Sequence, residues 1–240
     1  MPELPEVETT RRGITPHVKK QQVKNVVIRQ ASLRWPVPRN LKQTLKDQTI
    51  KDIQRRAKYI LFETQSGYLI VHLGMSGSLR MVKNTIEPNK HDHVDIVFNY
   101  KTLRFHDPRR FGAVLWTGKN PLHHKLLKNL GPEPLCDEFT GKHLHQLAQS
   151  KKVNVKNFIM NSHVVVGVGN IYASESLFLS GIHPQRAAGR ISLERYEKLA
   201  NNIKIVLSAA IELGGTTLRD FVREDGKPGY FANKLNVYNQ

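Results

Sequence analysis

"LGPEPL", residues 130–135, separates two hydrophobic rhythms in this 240-residue chain. Its Gly131, Pro132 and Pro134 break any helix or strand that enters it. Upstream, "VKNVVIRQ" (23–30), "YILFETQSGYLIVHLGMSGSLRMV" (59–82), "HVDIVFNYKTLRFHD" (93–107) and "FGAVLWTG" (111–118) are rich in β-branched and aromatic residues at a period near two. "TQSGY" and "FNYKTLRF" read as hairpin connections, so several short antiparallel strands are expected to form a sandwich or barrel. Downstream the period lengthens to about 3.6. "SLERYEKLANNIKIVLSAAIELGG" (192–215) carries a capping Ser192, then Leu193, Tyr196, Leu199, Ile203, Val206, Leu207 and Ala210 at helical spacing, and a Gly-Gly stop. The fold class expected is α+β: an N-terminal antiparallel β-sandwich over 1–130, opened by a short helix, and a helical domain over 131–240.

Composition narrows the classes of function. At 39% hydrophobic residues the chain can bury a core without staples, and its single cysteine, Cys136, excludes an intrachain disulfide or a multi-cysteine metal site within these residues. No long apolar run or signal-like segment is present, so a cytoplasmic protein without membrane partners is expected. The formal charge is +17 and the pI about 10.1. That charge is uneven: residues 1–130 hold 24 Lys+Arg against 10 Asp+Glu, residues 131–240 hold 13 against 10. A polyanion partner is expected mainly on the first half, and a nucleic-acid backbone fits it because each neutralised phosphate releases counterions.

Two short stretches carry chemistry. In "NVKNFIMNSHVVVGVGNIYASESLF" (154–178) an apolar-periodic helix is expected to run into "GVGN" and then into a second helix. Two glycines there permit a tight path, leaving amides and Asn170 at a helix N-terminus as an anion site. The other stretch is "MPELPEVET" (1–9), which places a proline and three carboxylates at the start of a basic chain. Removal of Met1 would expose the secondary amine of Pro2, and an α-amino group titrates near pH ~7.7–8.0, low enough to serve as a nucleophile. The simpler reading is that Pro2 and Pro5 start a helix whose positive end favours glutamate. "KHDHVD" (90–95) alternates His91, His93 and Asp95 in a pattern that could ligate a metal. A polar strand face in a nucleic-acid-facing sheet accounts for them equally, so no metal is assigned and His91 is taken as a DNA contact.

"PELPEVET", "HLGMSGSLR", "DPRRFG" and "VVVGVGNIYASESLFLSGIHP" together resemble the formamidopyrimidine-DNA glycosylase family, over almost the whole chain and in order. The resemblance implies a bifunctional glycosylase and abasic-site lyase of base excision repair. It would act on oxidised purines in damaged double-stranded DNA, as a monomer associated with the nucleoid. It implies Pro2 as the nucleophile, Glu3 as general acid/base, Glu6 as a residue that fixes the amine and a water, and Lys58 in the pocket. Met75, Arg110 and Phe111 match residues that fill the void left by an extruded nucleotide. Lys156 and Asn170 match phosphate contacts, Asn170 within a helix-two-turn-helix element. Thr217 and Arg219 fall in "GGTTLRDFVRED", which matches a loop that closes over the flipped base. Glu8 has no implied role and reads as a solvated helix residue.

One departure accompanies the resemblance. Relatives continue past the equivalent of "KLNVYNQ" into a four-cysteine zinc finger that supplies an arginine, so one zinc ion is expected only where such a finger exists. Two other readings stand beside the leading one: an oxidised-pyrimidine glycosylase of the endonuclease-eight branch, and a non-catalytic helix-two-turn-helix binder of nucleic acid.

Overall fold

This computed structural model describes residues 2–215 and 235–238; Thr217 and Arg219 lie outside them. By internal contacts the described residues form two compact units. The first comprises Pro2 and Glu6–Lys128, the second Glu3–Pro5, Asn129–Gly215 and residues 235–238.

The first unit is built from two four-stranded antiparallel sheets. One has the order β1 (Asn25–Ile28), β6 (Asp92–Val97), β7 (Lys101–His106), β5 (Ser78–Lys83). The other runs β2 (Asp52–Arg56), β3 (Tyr59–Glu63), β4 (Tyr68–His72), β8 (Ala113–Thr117). Both expected hairpins form, with Glu63 paired to Tyr68 and Val97 to Thr102. One core takes Val26, Val94, Ile96, Leu103 and Phe105 from the first sheet and Ile53, Phe62, Leu69, Val71 and Val114 from the second. Val7, Ile14 and Val18 of helix α1 (Leu4–Val18) join it, as do Leu41 and Leu45 of the short helix α2 (Leu41–Leu45).

Two expectations for this unit are corrected. Glu8 is not solvated: it is 8% exposed, and its carboxylate accepts hydrogen bonds from Arg11 (2.7 and 3.0 Å), Arg12 (2.8 Å) and Arg55 (3.2 Å). Burial alone would raise its pKa, but the bonds from Arg11 and Arg12 and the charges of Arg11 and Arg55 outweigh it and hold the group at about 2. The regular alternation of His91, His93 and Asp95 is also broken, because a β-bulge falls between Asp92 and Val94. Asp95 is committed to Arg104, which grips it through Nε and Nη2 at 3.0 Å each, and to Arg29 at 2.6 Å. His93 donates from Nε2 to the Asp107 carbonyl at 2.7 Å.

The second unit is helical: α3 (Gly141–Ala148), α4 (Val155–Met160), α5 (Asn170–Ser180) and α6 (Leu193–Glu212). Ser192 caps α6 by accepting from the Arg195 amide, and Gly214 and Gly215 end it at φ 78° and 83°. Tyr196, Leu199, Ile203, Val206, Leu207 and Ala210 are buried as the spacing requires, whereas Leu193 stays 44% exposed on the first turn. The helix before "GVGN" is shorter than expected. It ends at Met160, because Asn161 leaves the helical conformation as its C-cap and its side-chain oxygen accepts the His163 amide, turning the chain before the buried valines 164–166.

Glu8 is expected to act as a stability determinant. Glu8→Gln should lower unfolding free energy by about 2–3 kcal/mol at pH 7. A carboxylate held low in the fold stabilises above its unfolded pKa and loses that effect as pH falls through its folded one. Urea unfolding should therefore show the deficit narrowing from about pH 4.5 towards 2. A pH-independent deficit would mean that packing, not charge, is what Gln disturbs.

Candidate active site

Helix α5 begins without a capping side chain of its own, since its N-cap residue is Gly169. The cap comes from the far end of the sequence. Gly169 donates its amide to Glu3 Oε2 at 2.7 Å, and Ile171 donates to Glu3 Oε1 at 3.2 Å. Glu3 is 3% exposed, and the positive end of α5 faces its negative charge. Beside it, Leu4 donates its amide to the Gly167 carbonyl at 3.1 Å. The two glycines of "GVGN" are explained by these contacts. A Cβ on Gly167, which has φ 81°, would overlap the Leu4 side chain, and one on Gly169 would overlap the Glu3 carboxyl group. The sequence suggests amides left open for phosphate at this turn, but two of them are spent on the protein's own carboxylate.

Asn170, the first residue of α5, remains exposed and donates from Nδ2 to the Tyr238 hydroxyl at 3.4 Å. Tyr238 is held in place by Glu175, one turn along the helix. The Glu175 carboxylate is 1% exposed and accepts the amides of Asn236 (2.8 Å), Val237 (2.9 Å) and Tyr238 (3.0 Å), with Asn236 Nδ2 at 2.9 Å. Burial pushes its pKa up, but these donors more than reverse that and hold it below the ordinary value. Lys156 lies in the first turn of α4, behind the Asn154 cap, and is half-buried.

In the first unit, Lys58 stands in the two-residue turn between β2 and β3, where Ala57 takes φ 54°. It acts on His72, at the end of β4. Burial, and then the charges of Lys58 and Arg34, push the His72 imidazole down to about 4. Nδ1 of that ring accepts the Gly74 amide at 2.9 Å, so the proton sits on Nε2 and the ring offers a neutral donor at neutral pH. His72 also lines a cavity of about 120 Å³ with Arg34, Trp35, Tyr59 and Phe111. Met75 follows in the turn 74–76. Arg110 and Phe111 occupy the loop 107–112, where Arg110 is exposed at φ 58° and Phe111 is 41% exposed beneath the Arg109 guanidinium. His91 packs edge-on against His93 and His106. Glu6 is 2% exposed, and its carbonyl accepts the Thr10 hydroxyl.

Thus the first unit gathers Lys58, Met75, His91, Arg110 and Phe111 on neighbouring turns, and the second gathers Glu3 and Asn170 at the start of α5. Sequence reasoning passes over His72, Glu175 and Tyr238. His72 belongs to the "HLGMSGSLR" stretch that was quoted, and Tyr238 to "KLNVYNQ". Glu175 gives no signal, since a glutamate in an apolar helix is read as solvated until its partners are seen.

Gly169→Ala is expected to drive the Glu3 carboxylate from its seat. The Gly169 and Ile171 amides then lose their buried acceptor, so the melting temperature should fall by several degrees. An unchanged melting temperature would mean that this carboxylate does not cap α5. His72 should titrate by NMR with a midpoint near 4, and a midpoint near 6.5 would show that its ring is not desolvated.

Comparison with known proteins agrees with this fold. The family model for the formamidopyrimidine-DNA glycosylase N-terminal domain matches residues 1–114, and that for the formamidopyrimidine-DNA glycosylase H2TH domain matches residues 130–222. A formamidopyrimidine-DNA glycosylase of Methylococcus capsulatus is 58% identical over 241 aligned positions, covering 100% of this chain and 89% of that protein. The Marinobacter nauticus protein of the same name is 57% identical with the same coverage. Among solved structures, MutM (FPG) from Thermus thermophilus matches with TM-score 0.89 and 36% identity, over 99% of this chain and 87% of that one. A Lactococcus lactis FPG mutant in complex with DNA containing Fapy-dG matches with TM-score 0.92 and 31% identity, over 99% and 88%. The two family models span residues 1–114 and 130–222 and the relatives match the whole chain, so this chain is a member of the formamidopyrimidine-DNA glycosylase family.

Proposed function

We propose that this chain, a DNA glycosylase and abasic-site lyase of base excision repair, removes oxidised purines such as 8-oxoguanine and formamidopyrimidines from double-stranded DNA by chemistry at the Pro2 amine. Met1 is removed first, exposing that amine. Its lone pair attacks C1′ of the damaged nucleotide and the base leaves with the bonding electrons. The sugar ring opens as the amine nitrogen and C1′ form an iminium. Glu3 relays to the opening ring oxygen the proton that the amine nitrogen gives up on becoming an iminium, the departed base takes its proton from water, and the iminium then acidifies C2′–H. Loss of that proton expels the 3′ phosphate, and a second elimination expels the 5′ phosphate. The observation that carries this reading is the seat of Glu3. The residue next to the nucleophile is buried with its carboxylate fixed by two amides at a helix N-terminus, an arrangement suited to moving protons at one place.

The remaining residues serve binding. Lys58 lines the catalytic pocket beside the scissile phosphates, Lys156 and Asn170 meet the DNA backbone, His91 contacts the DNA, and Met75, Arg110 and Phe111 fill the space of the extruded nucleotide. Glu6 fixes the amine and a water, and Thr217 and Arg219 close over the base. The charge on residues 1–130 draws the enzyme to the nucleoid. Cys136 is the chain's one cysteine, its Sγ donates to the Glu133 carbonyl, and no group of three metal-ligating side chains occurs among the described residues. A zinc ion enters only with a further cysteine-bearing finger, and no step above passes through it.

Borohydride trapping on a duplex with 8-oxoguanine opposite cytosine should give a covalent adduct at Pro2. Glu3→Gln should keep DNA binding but lose base excision. No adduct, or an adduct that persists when the Pro2 amine is blocked, would overturn the nucleophile. Lys58→Ala and Asn170→Ala should weaken damaged and undamaged duplexes alike, Lys58→Ala flattening the salt dependence by about one unit of slope at most and Asn170→Ala, which removes an uncharged donor, leaving the slope unchanged. Arg110→Ala should instead erode discrimination of the opposing base. A uniform loss across all three would refute this division of roles.

A further inference from the structure

The turn that carries Met75 and the loop that carries Arg110 and Phe111 are separate in sequence, yet both are tied to one side chain that the mechanism does not use. Asp107 is 0% exposed. Its Oδ1 accepts the Ser76 hydroxyl at 2.8 Å, and its Oδ2 accepts the Gly112 amide at 2.8 Å. Ser76 Oγ in turn accepts the Arg109 amide at 3.3 Å. The Asp107 backbone is equally engaged. Its carbonyl accepts from His93 Nε2 at 2.7 Å and from the Arg110 amide at 3.3 Å, and its amide donates to the His91 carbonyl at 3.0 Å. Met75, His91, Arg110 and Phe111 are therefore each within one residue of a group bonded to Asp107 or are bonded to it themselves.

The two loops also touch backbone to backbone. A Cβ on Gly74 would overlap the Phe111 carbonyl carbon and the Gly112 amide nitrogen. Arg110, in the left-handed region at φ 58°, is held in a conformation that a non-glycine residue adopts only when its surroundings fix it. A hydroxyl and an amide converging on opposite oxygens need an acceptor at both ends, which a carboxylate supplies and an amide or alkyl side chain does not.

We propose that Asp107 is the positioning residue that locks the Met75 turn and the Arg110–Phe111 loop into one rigid plug, so that the residues filling the void enter DNA together and not independently. This rests on the void-filling reading given above. Rigidity matters because the plug must replace the stacking of a nucleotide as it leaves. Loops that moved separately would have to be ordered during extrusion, and the nucleotide would be held out for a smaller fraction of the time.

Ser76→Ala removes the link between the loops while leaving the bond from Gly112 in place, and Asp107→Ala removes both, with Asp107→Asn as the isosteric partial replacement. Each is measured by single-turnover excision of 8-oxoguanine opposite cytosine and opposite adenine. A second readout is borohydride trapping on a duplex with a preformed abasic site, where no base has to leave the stack. Ser76→Ala should lose about tenfold in excision and most of its preference for the opposing base, yet trap the abasic site within about twofold of the parent. Asp107→Ala should lose more, and Asp107→Asn should recover part of that loss. Full excision and preference in Ser76→Ala, or equal loss of excision and trapping, would overturn the role of Asp107 even if Asp107→Ala failed to fold. Arg110→Ala and Phe111→Ala run in parallel. If neither changes excision or preference, the void-filling reading itself fails, a result distinct from failure of the lock alone.

Discussion

The carboxylate of Glu3 on the first amides of α5 is the contact on which the candidate site depends. A helix of eleven residues that opens on glycine leaves its N-terminal donors without a local partner, and here a glutamate 166 residues earlier in the sequence supplies one. Two charge-assisted bonds and the helix dipole reinforce each other, so Glu3 is held more firmly than a side chain at a chain terminus would otherwise be. The covalent neighbour of Glu3 is the nucleophile of the proposed reaction. Fixing the acid therefore limits where the amine can be, and the two glycines of "GVGN" exist because that carboxylate and Leu4 come so close.

The same device recurs with different donors. Glu175 gathers three backbone amides and fixes Tyr238 beside Asn170. Asp107 gathers a hydroxyl and an amide. Glu8 gathers three arginines, and Asp95 two. Each acid loses hydration on burial and recovers it from fixed donors, so it is worth more as a local organiser than as a contribution to net charge. The interior of a basic protein thus uses acids to set its shape.

How much of this could be read from the sequence depended on range. The two sheets and α6 follow from periodicity, a local property, and the break at "LGPEPL" follows from glycine and proline. Strand β2 gives no such signal, because Ile53 is the one apolar residue among Asp52, Gln54, Arg55 and Arg56, and it forms by pairing with β3. The start of α5 was legible as a place for a negative charge, but its occupant was not, since nothing local to "GVGN" points to Glu3. Glu8 was misread for a related reason. Arg11 and Arg12 lie at helical spacing and were visible, but the burial that turns them from surface partners into obligatory ones comes with Arg55 and the sheet.

Asp107 marks the limit of motif reading. "DPRRFG" draws attention to its arginines and phenylalanine because those are the side chains a nucleic acid can meet, while the aspartate reads as the opening of a turn before proline. Its second partner, Ser76, lies 31 residues away in a motif of its own. A resemblance names residues that touch a ligand, motif by motif, whereas the bonds that make separate motifs move as one body run between them. In this chain those bonds end on buried acids, which is why the least conspicuous charge in each motif is the one that fixes the geometry of the others.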